Sequence, residues 1–207
     1  MIGAIKKLLG KDPNADDPYW DAFLNRPLAD PNNLVLDVIA RSPGGGVFAP
    51  KTDVHDPKAM SGHIVELVRF FGASLAQVIS TDPSLVEAAN TPGEGITIPI
   101  DGEDMRRIYP NTVVVLTHWP YDPKRHPGMG GQLGRQRAAA AAFHLRSYIR
   151  ELGYEAIFGR PTSLAIAAKA GLGTLNRDGQ LVTREYGTQV AMETVVLTNL
   201  PMIPYQA

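Results

Sequence analysis

Two stretches of this sequence concentrate residues that suit chemistry or close contact with a ligand. The first has glycines at positions 171, 173 and 179, after an alanine-rich segment. Glycine accepts a positive φ and lets the backbone approach a bound molecule closely, so this spacing favours a loop shaped around a ligand. The same spacing is also typical of a helix C-cap followed by a turn, and the pattern alone leaves both interpretations open.

The second stretch runs from His118 to His126 and follows the most apolar predicted strand. It contains the titratable side chains of Tyr121, Lys124 and Arg125. Loops at strand ends commonly carry functional sites because the sheet fixes their position. The alternative is a proline-rich surface loop whose aromatic rings pack on the body of the domain. The two histidines match neither a helical histidine pair nor a zinc signature, so no metal site is predicted.

Common nucleotide and hydrolase motifs are absent from the sequence. A dinucleotide fingerprint needs a strand before its glycines, whereas here the predicted helix Ser163–Ala170 precedes them, and Asn176 occupies the place of the third glycine. A P-loop would need a Gly-Lys-Ser or Gly-Lys-Thr run, and an esterase-type nucleophile elbow would need Gly-x-Ser-x-Gly. Neither occurs.

Composition sets the broad class of the protein. The 207 residues are 44% hydrophobic and 20% charged, which is ordinary for one globular domain with a core of its own. A formal net charge of -1 gives no basic field for nucleic acid. No apolar run approaches the roughly 18 residues of a transmembrane helix. With 0 cysteines and no secretory signal at the N-terminus, a cytoplasmic location is expected.

Helices and strands that mix without regular alternation predict an α+β fold. Residues 1–55 are predicted to form an extended N-terminal wrapping segment with a possible strand at Leu34–Ile39, and residues 56–207 a single domain. Asp56 and Pro57 are typical of a helix start, as N-cap and first helical residue. The remaining predicted elements are strands at Leu75–Ser80, Asn111–Thr117, Tyr154–Phe158 and Val195–Thr198, a long loop from His118 to Gly134, and a helix at Arg135–Leu152.

We call residues 167–187 the glycine block. This block resembles the corrinoid-binding region of reductive dehalogenases and, more distantly, that of epoxyqueuosine reductases. The residues that carry the resemblance are Gly171-Leu172-Gly173, Gly179, Thr183-Arg184-Glu185-Tyr186-Gly187 and the apolar run Val195–Pro201. Weaker similarity upstream, at Asp56–Ser61 and Phe70–Leu75, extends the resemblance over residues 56–201. Asn176 replaces a usual glycine and Arg184 a usual proline; asparagine tolerates left-handed backbone, so the loop is expected to survive.

The resemblance implies a nitroreductase-like sandwich of sheet and helices and a cobalamin cofactor. It implies that Tyr121, which follows the best strand, is the proton donor. A phenol is a weak acid, so such a donor needs a neighbouring cation to favour its phenolate, and Lys124, Arg125 and Arg160 are the candidates. The implied cofactor-binding residues are Ser163, Gly171, Leu172, Gly173, Thr174, Leu175, Asn176, Gly179, Thr183 and Tyr186.

The cysteine count separates this chain from the family it resembles. Members of that family carry cysteine-rich ferredoxin motifs beyond the matching region, and iron–sulfur clusters are held by Cys thiolates. With 0 cysteines no cluster is expected here, so electrons would come from a separate iron–sulfur or flavin protein. The substrate would be a small molecule, and a homo- or hetero-oligomer stays open. Two alternatives remain: a cobalamin carrier or chaperone, and a non-catalytic assembly subunit that has lost the cofactor.

Overall fold

The structure is a computed structural model in which residues 38–39, 42, 45–88, 101–120 and 129–206 are described. Its elements alternate irregularly between helix and strand. The helices are α1 (Pro57–Phe70), α2 (Gly102–Ile108), α3 (Met129–Glu151) and α4 (Ala165–Lys169). The strands are β1 (Leu75–Ser80), β2 (Val86–Ala88), β3 (Asn111–His118), β4 (Ala156–Pro161), β5 (Thr174–Leu175), β6 (Leu181–Val182), β7 (Val190–Ala191) and β8 (Val195–Thr198).

One antiparallel sheet in the order β1-β3-β8-β4-β2 organises the domain, and β7 pairs with the end of β3. Strand β3 is central and is buried from Asn111 to Thr117. Val114 pairs with Val195 and Thr117 with Ala191, so two residues of β3 lie opposite the three residues 192–194 that connect β7 to β8. The extra residue interrupts the regular pairing near the end of β3. Strands β5 and β6 form a separate hairpin.

Side chains alternate between the two faces of the sheet and build two cores. Val113 and Val115 of β3 pack beneath α1 and α3, on what we call the α3 face. Val114 and Leu116 point the other way, towards α2, α4 and the β5–β6 hairpin, on what we call the hairpin face. This arrangement of helices on both sides of an antiparallel sheet confirms the predicted α+β single domain.

Several predicted elements have the expected bounds. Asp56 caps α1, its Oδ1 accepting from the N–H groups of Lys58 at 2.8 Å and Ala59 at 3.0 Å, and Pro57 is the first helical residue. Strands β1 and β8 match the predictions residue for residue. Strand β4 was predicted at Tyr154–Phe158 and begins two residues later, at Ala156.

The predicted loop from His118 to Gly134 is wrong in its second half, because α3 begins at Met129. Glycine disfavours helix, and this misled the prediction. Gly134 is helical because it fits closely against the sheet: a Cβ there would lie 2.8 Å from the Cβ of Ala191. The Gly134 carbonyl also accepts a hydrogen bond from Thr117 Oγ1 at 2.6 Å. Tertiary packing therefore outweighs the intrinsic preference.

Part of the N-terminal segment lies along the end of α3. The Phe48 N–H donates to the Arg150 carbonyl and the Thr52 N–H to the Leu152 carbonyl, both at 2.9 Å. The predicted strand at Leu34–Ile39 lies mostly outside the described residues, and its described end is helical at Val38 and Ile39, so a strand there is wrong. The division at residue 55 stays a prediction.

Candidate functional site

Helix α4 delivers the glycine segment to the hairpin face. Ile166 and Ala167 bury their side chains in the core of that face, and Gly171 follows the helix with φ 70°. A Cβ at Gly171 would lie 2.7 Å from Cε1 of Tyr205, whose ring covers this position. The helix C-cap that the glycine spacing allowed is therefore present, and both the left-handed backbone and the ring contact require glycine.

After Gly171 the chain forms the β5–β6 hairpin, whose shape requires Gly173 and Asn176. Thr174 pairs with Val182, and a Cβ at Gly173 would lie 2.6 Å from the Val182 carbonyl oxygen. Asn176 Oδ1 accepts from the N–H groups of Asp178 at 3.0 Å and Gln180 at 2.9 Å. Its side chain thus closes the hairpin turn in the manner of an Asx-turn.

Asn176 maintains the hairpin through its side chain. Among the described residues only glycines have positive φ, so the tolerance of asparagine for a left-handed backbone is not used here. Its side-chain oxygen accepts two backbone N–H groups, as an alanine could not. The loop with Asn176 in place of a glycine therefore forms, as expected.

A tight turn from Thr183 to Gly187 follows the hairpin. The Thr183 N–H donates to the Gly187 carbonyl at 2.8 Å, and Thr183 Oγ1 accepts from the Tyr186 N–H at 3.1 Å. The Tyr186 ring stacks on His118, with centroids 4.4 Å apart and planes at 19°. The turn therefore meets the end of β3, and His118, the first residue of the stretch from His118 to His126, lies against it.

The hairpin also presents an apolar side chain to solvent. Leu175 and Leu181 are cross-strand partners, and such partners point to the same side of a ribbon. Leu181 is 2% exposed and belongs to the core of the hairpin face, whereas Leu175 is 42% exposed. The hairpin therefore extends past the core with Leu175 uncovered by the described residues. Thr174 is exposed beside it, while Leu172 is half-buried in the core.

An ion pair anchors the start of the glycine segment. Lys169 is the last residue of α4, and Asp82 lies in the connection between β1 and β2. The Nζ of Lys169 is 2.5 Å from Oδ2 of Asp82. Hydrogen bonds from Lys169 and Ser84 lower the pKa of Asp82 from 3.8 to about 2. Ser163, at the other end of α4, is exposed, and its Oγ accepts a long hydrogen bond of 3.3 Å from the Ala165 N–H. Ser163 is thus separated from the hairpin by the helix.

This anchor makes a testable contribution to stability. Since the folded pKa of Asp82 lies below its usual value, its stabilisation is present above pH 3.8 and is lost as the pH falls through about 2. Asp82→Asn is expected to lower the free energy of unfolding by about 1 kcal/mol at pH 7, and the deficit should shrink at low pH. Urea denaturation across that range measures it. Asp178→Asn, at an exposed carboxylate, is the control; equal losses in both variants would contradict the assignment.

The proposed proton-donor group falls outside the described residues. Tyr121, Lys124 and Arg125 all lie in the gap after residue 120. Arg160 is exposed on β4, two strands away from β3. Trp119 lies two residues before Tyr121, just ahead of this gap. The guanidinium of Arg137 lies 3.9 Å from the centroid of its ring.

Sequence reasoning considered His118 as a metal ligand and missed its stacking on Tyr186. The signal available was its position at the end of the most apolar strand. Among the described residues, no three His, Asp or Glu side chains converge to hold a metal ion. Nor does any helix in these ranges have the length and apolar character needed to cross a bilayer.

No family model matches the chain. Over 63 residues, however, it is 43% identical to the tetrachloroethene reductive dehalogenase of Sulfurospirillum multivorans. The chain therefore resembles a reductive dehalogenase over this segment. The matched segment covers 29% of the chain and 12% of that enzyme, so it corresponds to a small part of its relative.

Solved structures show a similar fold over most of the chain. The catabolic reductive dehalogenase NpRdhA, in complex with 3-bromo-4-hydroxybenzoic acid, matches with a TM-score of 0.61 and 21% identity. A reductive dehalogenase structure that suggests a mechanism for B12-dependent dehalogenation matches with a TM-score of 0.60. Each comparison covers 83% of this chain and 26% of the other, so the chain spans about a quarter of these relatives. The epoxyqueuosine reductase of Bacillus subtilis is less similar, with a TM-score of 0.47 and 15% identity.

Proposed function

We propose that this chain is the corrinoid-binding part of a cobalamin-dependent reductase that acts on a small organohalide. The observation that carries the proposal is the 43% identity over 63 residues to a tetrachloroethene reductive dehalogenase. The fold, shared with a structure from which B12-dependent dehalogenation was inferred, supports it. We also propose that the sandwich of sheet and helices is nitroreductase-like and that the protein is located in the cytoplasm.

The exposed side of the hairpin fits a broad, largely apolar macrocycle with an amide fringe. Leu175 offers an exposed apolar side chain, Gly179 is an exposed position with open space around it, and Gly171 is exposed on the side that the Tyr205 ring leaves free. Thr174 adds an exposed hydroxyl for a hydrogen bond to an amide. We assign cofactor contact to these residues first. Gly173, Asn176 and Thr183 serve by holding the hairpin and its turn in shape, because their polar or steric requirements are met within the fold.

When bound, cobalamin would supply the reducing centre, and the protein supplies orientation and a proton. In reductive dehalogenation a carbon–halogen bond breaks, a carbon–hydrogen bond forms and halide leaves. The change consumes two electrons and one proton. We assign the proton to Tyr121, with Lys124 and Arg125 favouring its phenolate. We assign the electrons to an iron–sulfur or flavin group outside these 207 residues, for instance on a partner protein, since they contain 0 cysteines to hold a cluster.

Cofactor uptake is the first prediction of this function. Hydroxocobalamin titrated into the protein is expected to change the visible spectrum and to co-migrate with it on a sizing column. Gly173→Ala should weaken uptake by roughly tenfold or more, because its Cβ would press on the Val182 carbonyl and distort the hairpin. Gly62→Ala, in open space on α1, is the matched control and should bind normally.

The outcomes of this titration also separate the alternatives. Uptake followed by reduction of tetrachloroethene or 3-bromo-4-hydroxybenzoic acid, with a strong chemical reductant present, supports the enzyme. Uptake with transfer to another cobalamin protein, but without turnover, supports the carrier or chaperone. An unchanged spectrum at high micromolar cofactor contradicts both and leaves the assembly subunit.

A further inference from the structure

His118, the last residue of β3, and Trp119, which follows it, hold rings on opposite faces of the sheet. Successive residues of a strand point to opposite sides, so His118 faces the hairpin and Trp119 faces α3. His118 stacks on Tyr186 at 4.4 Å, and Trp119 lies under the guanidinium of Arg137. The backbone of His118 is fixed as well: its N–H donates to Ser74 Oγ at 2.8 Å, and it pairs with Val190 of β7.

Tyr186 belongs to a turn whose internal hydrogen bonds define its shape but not its place on the domain. The Thr183–Gly187 bonds close the turn on itself. The stack on His118 ties the turn to the central strand. Arg184 and Glu185 on the same turn are exposed. The hairpin before the turn and the Gln189 N–H, which donates to the Tyr186 carbonyl at 3.0 Å, also hold it, and the histidine–tyrosine stack is its side-chain contact with the central strand.

We propose that His118 is a positioning residue. Through its stack on Tyr186 it holds the turn from Thr183 to Gly187 against the end of β3. The ring plane at position 118 carries this role, because a near-parallel stack needs a flat partner and not a particular nitrogen. For its consequence on cobalamin the inference rests on the proposed function: the stack links the segment that would contact the cofactor to the strand that precedes Tyr121, the assigned proton donor.

Hydrogen exchange of the protein without added cofactor tests the stack directly. His118→Ala and Tyr186→Ala should each speed exchange of the hydrogen-bonded amides of the turn, those of Thr183, Tyr186 and Gly187, by roughly three- to tenfold, the value of one aromatic pair. His118→Phe and Tyr186→Phe keep the rings and should restore slow exchange. The double alanine variant should exchange no faster than either single one, because the two residues act as one contact.

Arg137→Ala provides the matched control on the α3 face. It removes the partner of Trp119 and should leave the 183–187 amides unchanged. Unaltered exchange in His118→Ala, or failure of the Phe variant to rescue it, would overturn the inference.

A parallel hydroxocobalamin titration separates this inference from the proposed function. His118→Ala should weaken uptake and His118→Phe should restore it. If exchange responds as expected but the wild-type protein takes up no cofactor, the positioning pair stands and the proposed function fails. If uptake occurs and is equal in the wild type and His118→Ala while exchange differs, the pair holds the turn without serving the cofactor, which overturns the link.

Discussion

Gly153→Ala is expected to lower the free energy of unfolding by about 3 kcal/mol, through strain and a backbone clash together. Gly153 has φ 86°, a conformation that residues with a Cβ rarely adopt. A Cβ there would also lie 2.5 Å from the Pro50 carbonyl oxygen and 2.7 Å from Lys51 Cα. Relief requires that the N-terminal segment move away from the end of α3. Chemical denaturation of the purified variant measures the loss.

Two further glycines separate the strain from the clash. Gly179 has φ 74° with nothing within 4 Å of a Cβ, so its alanine variant should lose about 1 kcal/mol. Gly62 lies in α1 with open space around it, so Gly62→Ala should be neutral or stabilising by up to about 1 kcal/mol. A loss at Gly153 no larger than at Gly179 would mean that residues 45–54 yield freely, and that this segment contributes little to the fold.

The sequence predicted elements best where one local signal dominates. The Asp-Pro pair located the start of α1, and the β-branched run located β3. Helix α2 was missed although its signals were present: Asp101 caps it, Glu103 and Asp104 lie in its first turn, and Arg106 and Arg107 lie in its last. Strands β5, β6 and β7 have two residues each, too few to show a hydrophobic period.

The candidate site depended on contacts between residues distant in sequence, which no local pattern contains. The glycine spacing correctly predicted a C-cap and a turn after α4. The Tyr205 ring, which requires glycine at 171, reaches that position through the path of the chain after β8. The contact of Tyr186 with His118 follows from the order of the strands in the sheet. Asn176 shows the same limit within one hairpin: residue type suggested left-handed backbone, whereas the structure uses the side-chain oxygen.

Tyr121→Phe is expected to reduce turnover by roughly 100-fold while cobalamin affinity barely changes. The substitution removes one hydroxyl and keeps the ring, so packing is preserved while the assigned proton donor is lost. Replacement of Lys124 or Arg125 by methionine should lower turnover by a smaller factor, because each cation favours the phenolate. Turnover of the organohalides is measured with a strong chemical reductant or an added iron–sulfur protein.

Tyr148→Phe is the matched control for this loss. Tyr148 lies on α3, hydrogen-bonded through its hydroxyl to His63 Nε2 at 3.2 Å, on the face of the sheet away from the hairpin. Its variant should retain full turnover. The pure chain with NADH alone should show none, since it has neither a dinucleotide fingerprint nor cysteines. Equal turnover in Tyr121→Phe and the wild type would remove Tyr121 from the mechanism, and the proton would then have to come from water or from another side chain at the cofactor site.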